Sequence, residues 1–341
     1  MAALKRRDEL PVLLLHNLDP ALEPTDLDQV LRDVNALESA LREQGHPVVN
    51  VPVRNAALAS HLHGFAPQEH IVFNWCESLP GMCYSEALVA QILEDLGYAY
   101  TGSPPDVLEF SWDKPRVKAL LRQSGIATPH WRIYDSLEPD GWGLFPAIVK
   151  PAREHSSLGV TSEAVVLNPD ELRARIAYVL ETFRQPALVE DFVDGREFHV
   201  SLWGNRHVEM LPPAEMDFAA FAEVRDRLCT YDSKFLPGSR HYEGIGLKLP
   251  APLEEAECER LRRTAQMAYA AIRCRDYARM DIRLRDGVFY VLDVNPNADI
   301  SEETSTTYAA KAAGYSYGEL ASAIANLAAS RHPVFRTEFR H

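Results

Sequence analysis

Several features that mark particular protein classes are missing from this sequence. Cysteine is sparse, with five residues in a chain of 341, and no two of them form a CxxC pair. An odd number without that spacing predicts neither a disulfide framework nor a zinc site, so we expect free thiols in a reducing compartment. No two histidines share a predicted helix at metal-ligand spacing, so His16, His155 and His199 are predicted not to bind metal.

Long apolar runs are missing as well. The apolar stretch at residues 10–15 is followed by His16, Asn17 and Asp19, which end it too early for a signal peptide. No run is long enough to span a bilayer. We therefore predict a cytoplasmic protein without a membrane partner.

Positive charge is in deficit. The formal net charge is −14, which repels phosphate backbones over most of the surface and argues against a nucleic-acid partner. A nucleotide site is still compatible with this charge, because it needs only a few local lysines and arginines. The hydrophobic and charged fractions, 46% and 25%, are close to the globular average, so we expect a packed core in two or three lobes.

Strands and helices alternate in the first hundred residues. The predicted strands lie at 11–15, 48–53 and 70–74, and the predicted helices at 26–41 and 84–96. This alternation is typical of a parallel sheet covered on both faces. The glycine and prolines that follow mark the end of this lobe.

The rest of the chain predicts two further lobes. Asn168 caps a helix that runs to residue 182, and a hairpin turns at Asp286–Gly287. The polar segment 225–246 has the length and composition of a lid. Two short helices, at 304–313 and 318–329, end the chain. We divide the protein into residues 1–103, 104–186 and 187–341.

The last hairpin carries the clearest chemical signal. Asp281 lies on its first strand, and Asp293 and Asn295 lie two residues apart on its second, so their side chains share one strand face. Carboxylate and amide oxygens suit Mg²⁺ held with water and phosphate oxygens. Arg279 points the same way and could neutralise a transferring phosphoryl group. A polar, solvent-facing edge of the sheet is the alternative.

A lysine-containing loop is the second signal. Lys150 ends a predicted buried strand, and Ser156, Ser157 and Gly159 follow it. Such a loop can cradle phosphates through charge and backbone N–H groups. The Walker pattern GxxxxGK[ST] is absent, and an ordinary turn beside a strand-end lysine is the alternative.

The third signal is the segment formed by Glu190, Asp191, Phe192 and Val193. Its backbone can meet an adenine edge, with Glu197 reaching a ribose hydroxyl. A simple turn at the following aspartate and glycine is the alternative.

Taken together and in this order, the segments resemble the D-alanine–D-alanine ligase family of the ATP-grasp superfamily. The resemblance covers residues 98–320, about two thirds of the chain. Its landmarks are Tyr100-Thr-Gly-Ser103, Trp112-Asp-Lys114, Ile148-Val-Lys-Pro151, Ser156-Ser157, Val189-Glu190, Asp194-Gly-Arg-Glu-Phe198, Ala278-Arg-Met-Asp281 and Val294-Asn-Pro296.

The resemblance implies an ATP-grasp fold, in which an N-terminal parallel α/β lobe is followed by two α+β lobes that clasp ATP. It also implies a nucleotide site. Lys114 and Lys150 would contact the phosphates, Ser156, Ser157 and Gly159 would close over them, Glu190, Asp191, Phe192 and Val193 would line the adenine pocket, and Glu197 would hold the ribose.

The implied catalytic groups are Arg279, Lys234 and Ser157, with Lys234 on the lid. Asp281, Asp293 and Asn295 would bind Mg²⁺, two ions by analogy, with Mn²⁺ as an alternative. The implied reaction begins when a substrate carboxylate attacks the γ-phosphate of ATP to give an acyl phosphate. An amine then displaces the phosphate, and the closed lid excludes water.

The substrate half departs from the family pattern. The glycine-rich loop expected after the first strand is absent, and the metal position usually held by glutamate is Asp293. We therefore expect a small amino-acid or dipeptide substrate other than D-alanine. The candidates for gripping its amino or carboxylate groups are Glu77, Asp299, Ser301 and Glu302.

Two other functions fit the same residues. The first is an ATP-grasp enzyme that modifies a peptide or a carrier-bound carboxylate. The second is a nucleotide-binding module without ligase activity, which only the shorter Asp293 favours. The partners we predict are small-molecule carboxylates and amines, and the resemblance suggests a homodimer.

Overall fold

The computed structural model describes residues 8–137, 141–155 and 157–336, so the predicted loop residue Ser156 lies outside the described residues. The first lobe contains β1 (Val12–Asn17), α1 (Pro24–Glu43), β2 (Val48–Val53), α2 (Leu58–His61), β3 (Ile71–Trp75), α3 (Glu86–Asp95) and β4 (Ala99–Tyr100). Its strands form a parallel sheet in the order β2-β1-β3-β4, which confirms the prediction from alternation. The helix predicted from residue 84 begins at Glu86, because Tyr84 has a φ of 60°, outside the right-handed helical region.

The central sheet is antiparallel. Two helices lead to it, α4 (Pro105–Ser111) and α5 (Lys114–Gln123), and it contains β5 (Trp131–Tyr134), β6 (Ala147–Pro151), β7 (Val165–Val166), α6 (Pro169–Phe183) and β8 (Ala187–Asp191). The strand order is β5-β8-β6-β7. The predicted cap is confirmed, because the Asn168 side chain accepts hydrogen bonds from the first N–H groups of α6.

Strand β8 lies in a different place from the one we predicted. Our division assigned it to the third lobe, but it pairs with β5 on one side and β6 on the other. Its first three residues, Ala187, Leu188 and Val189, have no exposed surface. Strand neighbours on both edges and the core shared with α6 account for this burial.

The third sheet has the order β12-β11-β9-β13-β14, with β10 paired to β9. Its elements are β9 (Arg196–Trp203), β10 (Glu209–Met210), β11 (Ala214–Asp217), α7 (Asp232–Phe235), α8 (Arg240–Gly244), β12 (Gly246–Lys248), α9 (Glu255–Ile272), β13 (Tyr277–Arg285) and β14 (Val288–Asn295). The two-residue turn is confirmed, with φ of 51° at Asp286 and 76° at Gly287. The predicted lid segment is not only loop, since it contains α7 and α8.

The chain ends by returning to the first lobe. Helices α10 (Ser305–Ala312) and α11 (Tyr317–Ala329) form close to the predicted positions. Leu320 and Ile324 of α11 share one hydrophobic core with Leu37 and Leu41 of α1. A sheet with one apolar face must bury that face against another element, and here the C-terminal helix supplies the cover.

A fully buried carboxylate ties the lobes together. Asp276 accepts hydrogen bonds from the Gly102 N–H at 3.0 Å and from the Asn205 amide at 2.9 Å. The Arg331 guanidinium donates to both of its oxygens, at 2.6 and 2.7 Å. The first lobe, the third sheet and the C-terminus therefore meet at one side chain. Among the described residues, no helix combines the length and apolar character needed to cross a membrane.

Candidate active site

The β13–β14 hairpin brings the predicted metal ligands together. Arg279 is paired with Asn295, and Asp281 is paired with Asp293. The Arg279 guanidinium donates to Asp281 at 2.7 and 3.1 Å, and the Asn295 amide nitrogen lies 3.3 Å from the same carboxylate. Because the Asn295 side chain makes these contacts through its nitrogen, its amide oxygen is available to another partner. The four side chains therefore form one cluster on one face of the sheet.

A β-bulge next to this cluster affects the direction of its side chains. The register of β13 and β14 shifts after Asp281, so Leu292 is an extra residue on β14. Such bulges re-aim side chains and are frequent beside active sites. Burial alone would raise the pKa of Asp281, but the Arg279 guanidinium holds it well below its usual range, so the carboxylate is ionised.

Lys114 contacts this cluster from a helix. It begins α5, where Asp113 caps the helix by accepting from the Arg116 N–H. Its ammonium group contacts the Asp293 carboxylate directly. Burial would raise the pKa of Asp293, but Lys114 lowers it. Two of the predicted site residues, 179 positions apart in sequence, are thus ion-paired.

A second buried cluster joins Lys150 to Glu190 and Lys118. Both lysine ammonium groups contact the Glu190 carboxylate, whose side chain is 1% exposed. Burial would raise the pKa of Glu190, but the two lysines lower it. Burial lowers the pKa of Lys118, whereas for Lys150 the attraction of Glu190 outweighs burial and raises it.

This cluster gives Glu190 a role for its side chain and adds one residue. The Glu190 side chain is a counter-ion for two lysines, and the adenine contact of its segment's backbone stays a prediction. Lys118 was not predicted. Its spacing of four residues from Lys114 on one helix places both on the same face, which is the signal that could have revealed it.

The other residues predicted to contact the adenine and the ribose form hydrogen bonds or ion pairs within the protein. Arg285 pairs with the Asp191 carboxylate, and the Phe192 N–H donates to the Pro146 carbonyl at 3.0 Å. Arg283 donates to the Val193 carbonyl at 2.8 Å and to the Glu197 carboxylate at 2.7 Å. Arg283 therefore fixes the predicted ribose residue and the end of the predicted adenine segment together.

The predicted loop and lid contact each other. The Ser157 hydroxyl donates to the Cys229 carbonyl at 3.2 Å, and the Tyr231 N–H donates to the Val160 carbonyl at 3.3 Å. The Gly159 carbonyl accepts from Arg175. A Cβ at Gly159 would lie 2.6 Å from the Phe183 ring, so only glycine fits at this φ of +74°.

Lys234, the predicted lid lysine, lies near Arg279 and Asp281. Burial and the nearby Arg279 lower the pKa of Lys234, while Asp281 opposes them. Lys234 is therefore placed among the same charges as the hairpin residues, as the resemblance implied.

A narrow acidic cleft between the first and third lobes contains one of the predicted substrate residues, Glu77. Glu77 and Glu86 line it together with Asn297 and Tyr277. The Asn297 amide donates to Glu86 at 2.8 Å. Glu77 keeps an exposed surface, but the protein atoms packed around it and, second, the charge of Asp299 raise its pKa to about 6. Burial likewise raises the pKa of Glu86 to about 7, against the hydrogen bond from Asn297.

The other predicted substrate residues lie in the turn after β14. Ser301 donates to the Asp299 carboxylate at 2.8 Å through both its hydroxyl and its N–H, so Ser301 orients Asp299. Glu302 is exposed in the same turn. Glu86 and Tyr277 were not predicted, because nothing in their local pattern separates them from ordinary helix-start and strand residues.

Comparison with known proteins shows the family to which the chain belongs. The family model for the D-ala D-ala ligase C-terminus matches residues 130–326, which is more than half of the chain. The chain belongs to the D-alanine–D-alanine ligase family. A D-alanine–D-alanine ligase of Carboxydothermus hydrogenoformans is 30% identical over 308 residues, covering 86% of this chain and 91% of that protein.

A second sequence relative and a solved structure are also similar to this chain. An uncharacterized protein, y4sG, of Sinorhizobium fredii is 33% identical over 309 residues and covers 88% of each chain. The crystal structure of D-alanine–D-alanine ligase from Bacillus anthracis complexed with ATP has a TM-score of 0.71 at 22% identity, covering 94% of this chain and 97% of that one. The fold is therefore ATP-grasp, and the chain falls in the class of the ATP-grasp ligases.

Proposed function

We propose that this protein is an ATP-dependent carboxylate–amine ligase of the acid–amino-acid type, which forms an amide or peptide bond through an acyl phosphate. One observation carries the proposal: Lys114, Arg279, Asp281, Asp293 and Asn295 meet at one hairpin. Phosphoryl transfer depends mainly on positioning and on neutralising charge, and this cluster offers the groups for both.

The hairpin residues suit a hard divalent cation. Asp281, Asp293 and Asn295 offer oxygen donors on adjoining strands, which Mg²⁺ prefers and Mn²⁺ accepts. Both carboxylates are ionised and held by cations, Arg279 and Lys114. Bound Mg²⁺, two ions by analogy with the family, would neutralise the charge on the phosphate oxygens of ATP.

The chain's own cations would act on the phosphates. Lys114 and Lys150 lie where they can exchange their carboxylate partners for phosphate oxygens. Arg279 and Lys234 would stabilise the charge on the transferring phosphoryl group. Ser157, bonded to the lid at Cys229, would keep the loop and the lid closed together, so that water is excluded from the acyl phosphate.

The acidic cleft supports an amine as a substrate. Glu77 and Glu86 would hold a substrate ammonium group, and the charge of the nearby Asp299, held by Ser301, would add to the attraction. Tyr277 lines the same cleft and would contact the bound substrate. We propose a small amino acid or dipeptide other than D-alanine, because the first lobe offers these carboxylates in place of the family's glycine-rich loop.

The direct test is ADP and phosphate release with Mg²⁺ and ATP across single and paired D- and L-amino acids and short peptides. Mass spectrometry would identify the products. Release that depends on a particular pair, with a new amide bond in the product, would support the proposal. Binding of an ATP analogue without ADP release for any combination would overturn it.

Two pairs of variants test the site residues. Asp281→Asn should abolish ADP release, because it removes a charged metal ligand, whereas Asp217→Asn, at an exposed pair with Lys248, should not. Lys150→Ala should weaken the binding of an ATP analogue far more than Lys248→Ala does. Equal effects within either pair would contradict the assignment of that residue.

A further inference from the structure

Three side chains with oxygen, nitrogen and sulfur donor atoms converge beside the proposed magnesium cluster. The Glu197 carboxylate, the His199 imidazole and the Cys229 thiol place one donor atom each within 4.8 Å of one another. Glu197 and His199 are two residues apart on β9, so they share one face of the strand. Cys229 comes from the lid segment, thirty positions further along the chain.

Neighbouring side chains hold two of the three donors in place. Arg283 donates to Oε2 of Glu197 at 2.7 Å, which leaves Oε1 for another partner. The Ser305 hydroxyl is hydrogen-bonded to Nδ1 of His199 at 3.1 Å, which leaves Nε2 turned towards the cluster. Outer contacts of this kind fix the orientation of metal ligands in proteins.

The spacing inside the cluster suits an ion rather than a hydrogen bond. Nε2 of His199 lies 3.9 Å from Oε1 of Glu197 and also 3.9 Å from Oδ1 of Asp281. These separations are too long for hydrogen bonds. Two ligands of one tetrahedral zinc ion lie roughly 3.3–3.6 Å apart, so small side-chain movements would bring the donors to bonding distance.

We propose that Glu197, His199 and Cys229 form a binding site for zinc or a similar transition-metal ion between β9 and the lid. Nitrogen, sulfur and carboxylate donors favour zinc over magnesium.

The protonation states of the ligands determine how binding proceeds. Burial lowers the pKa of His199 to about 4, so its imidazole is already neutral. Burial raises the pKa of the Cys229 thiol, so binding must release one proton from it to solvent. Three cations lie near the cluster: Arg279 is paired with Asp281, Arg283 is paired with Glu197, and Lys234 is the one that must move away when a metal ion binds.

An ion at this site would affect the proposed nucleotide site. Glu197 would be held as a metal ligand and Cys229 would fix the lid, so the ion and a nucleotide ribose would compete for the same carboxylate. This consequence rests on the proposed function, whereas the metal site itself does not.

The test uses Co²⁺ as a spectroscopic probe for the full-length protein without nucleotide, in the presence of a non-thiol reductant. We expect one equivalent of Co²⁺ to give a thiolate-to-cobalt absorption band in the near ultraviolet. An equivalent of Zn²⁺ should remove the band, and millimolar Mg²⁺ should not. Because the metal spectrum is the readout, the result does not depend on ligase activity.

Matched variants identify the ligands. Cys229→Ser should abolish the band, and His199→Gln should weaken Co²⁺ affinity at least tenfold. Cys258→Ser, which alters another partly exposed thiol on α9, should leave the spectrum unchanged. Circular dichroism would verify that each variant is folded. The absence of a thiolate band in the wild-type protein, or its persistence in Cys229→Ser, would overturn the proposal.

Discussion

The buried Lys118–Glu190–Lys150 cluster allows a quantitative prediction. In Glu190→Gln, both lysines lose the carboxylate that they share, and Lys118 keeps only the Thr128 hydroxyl and the Leu292 carbonyl, at 3.1 and 3.2 Å. The Lys118 side chain is 2% exposed. Removing one partner of a buried ion pair costs about 3–5 kcal/mol, because the other charge is left uncompensated. We expect the free energy of unfolding at pH 7 to fall by this amount.

The same variant should acquire a characteristic pH dependence. Without Glu190, burial depresses the pKa of Lys118 further below its value in the unfolded chain. Between those two pKa values the unfolded state binds one more proton than the folded state. The free energy of unfolding should therefore rise with pH, by about 1.4 kcal/mol per pH unit at most, as the buried lysine becomes neutral.

The assay is urea unfolding from pH 6 to pH 9, compared with the wild type and with Glu171→Gln. Glu171 pairs with Arg225 at about one-third exposure, so its loss should cost less than about 1 kcal/mol. If Glu190→Gln is no less stable than Glu171→Gln, and its stability does not rise with pH, then the two lysines do not depend on this carboxylate and our reasoning is refuted.

Three other outcomes follow from the structure. Asp276→Asn should lower the free energy of unfolding by about 3 kcal/mol, because Arg331 loses its buried counter-ion, and urea unfolding within 1 kcal/mol of the wild type would contradict this. Glu86→Gln should raise the free energy of unfolding by about 1–3 kcal/mol at pH 8 and leave it unchanged at pH 4, since a carboxyl whose folded pKa is raised destabilises the fold as pH rises from the unfolded pKa of 4.5 to about 7. The KM for the amine substrate should fall between pH 6 and pH 8, as Glu77 and Glu86 ionise, and a flat profile would count against their role.

Features that depend on local spacing could be predicted from the sequence. Side chains two residues apart on a strand point to the same face, which places Asp293 and Asn295 together, and the structure confirms this prediction. The two-residue turn at Asp286–Gly287 and the cap at Asn168 depend only on neighbouring residues, and both form as expected. Membership of the family could also be inferred, because its motifs keep their order along the chain.

Features that depend on distant residues could not be read in this way. Lys118 and Glu190 are 72 positions apart, and only folding brings their charges together inside the protein. The same holds for Glu86 and Asn297, whose contact joins two lobes. The predicted lid contains two short helices, which depend on contacts with the rest of the protein rather than on a strong local sequence pattern.

The sequence by itself determined the fold class, the hairpin that carries the hard oxygen ligands, and the identity of most of the charged groups in the site. Tertiary structure alone decided which charges pair, that β8 completes the central sheet, and that Cys229 approaches Glu197 and His199. The physical reason is that residue spacing fixes the face of an element on which a side chain lies. The partner that it meets there depends on how whole elements pack to bury their apolar surfaces.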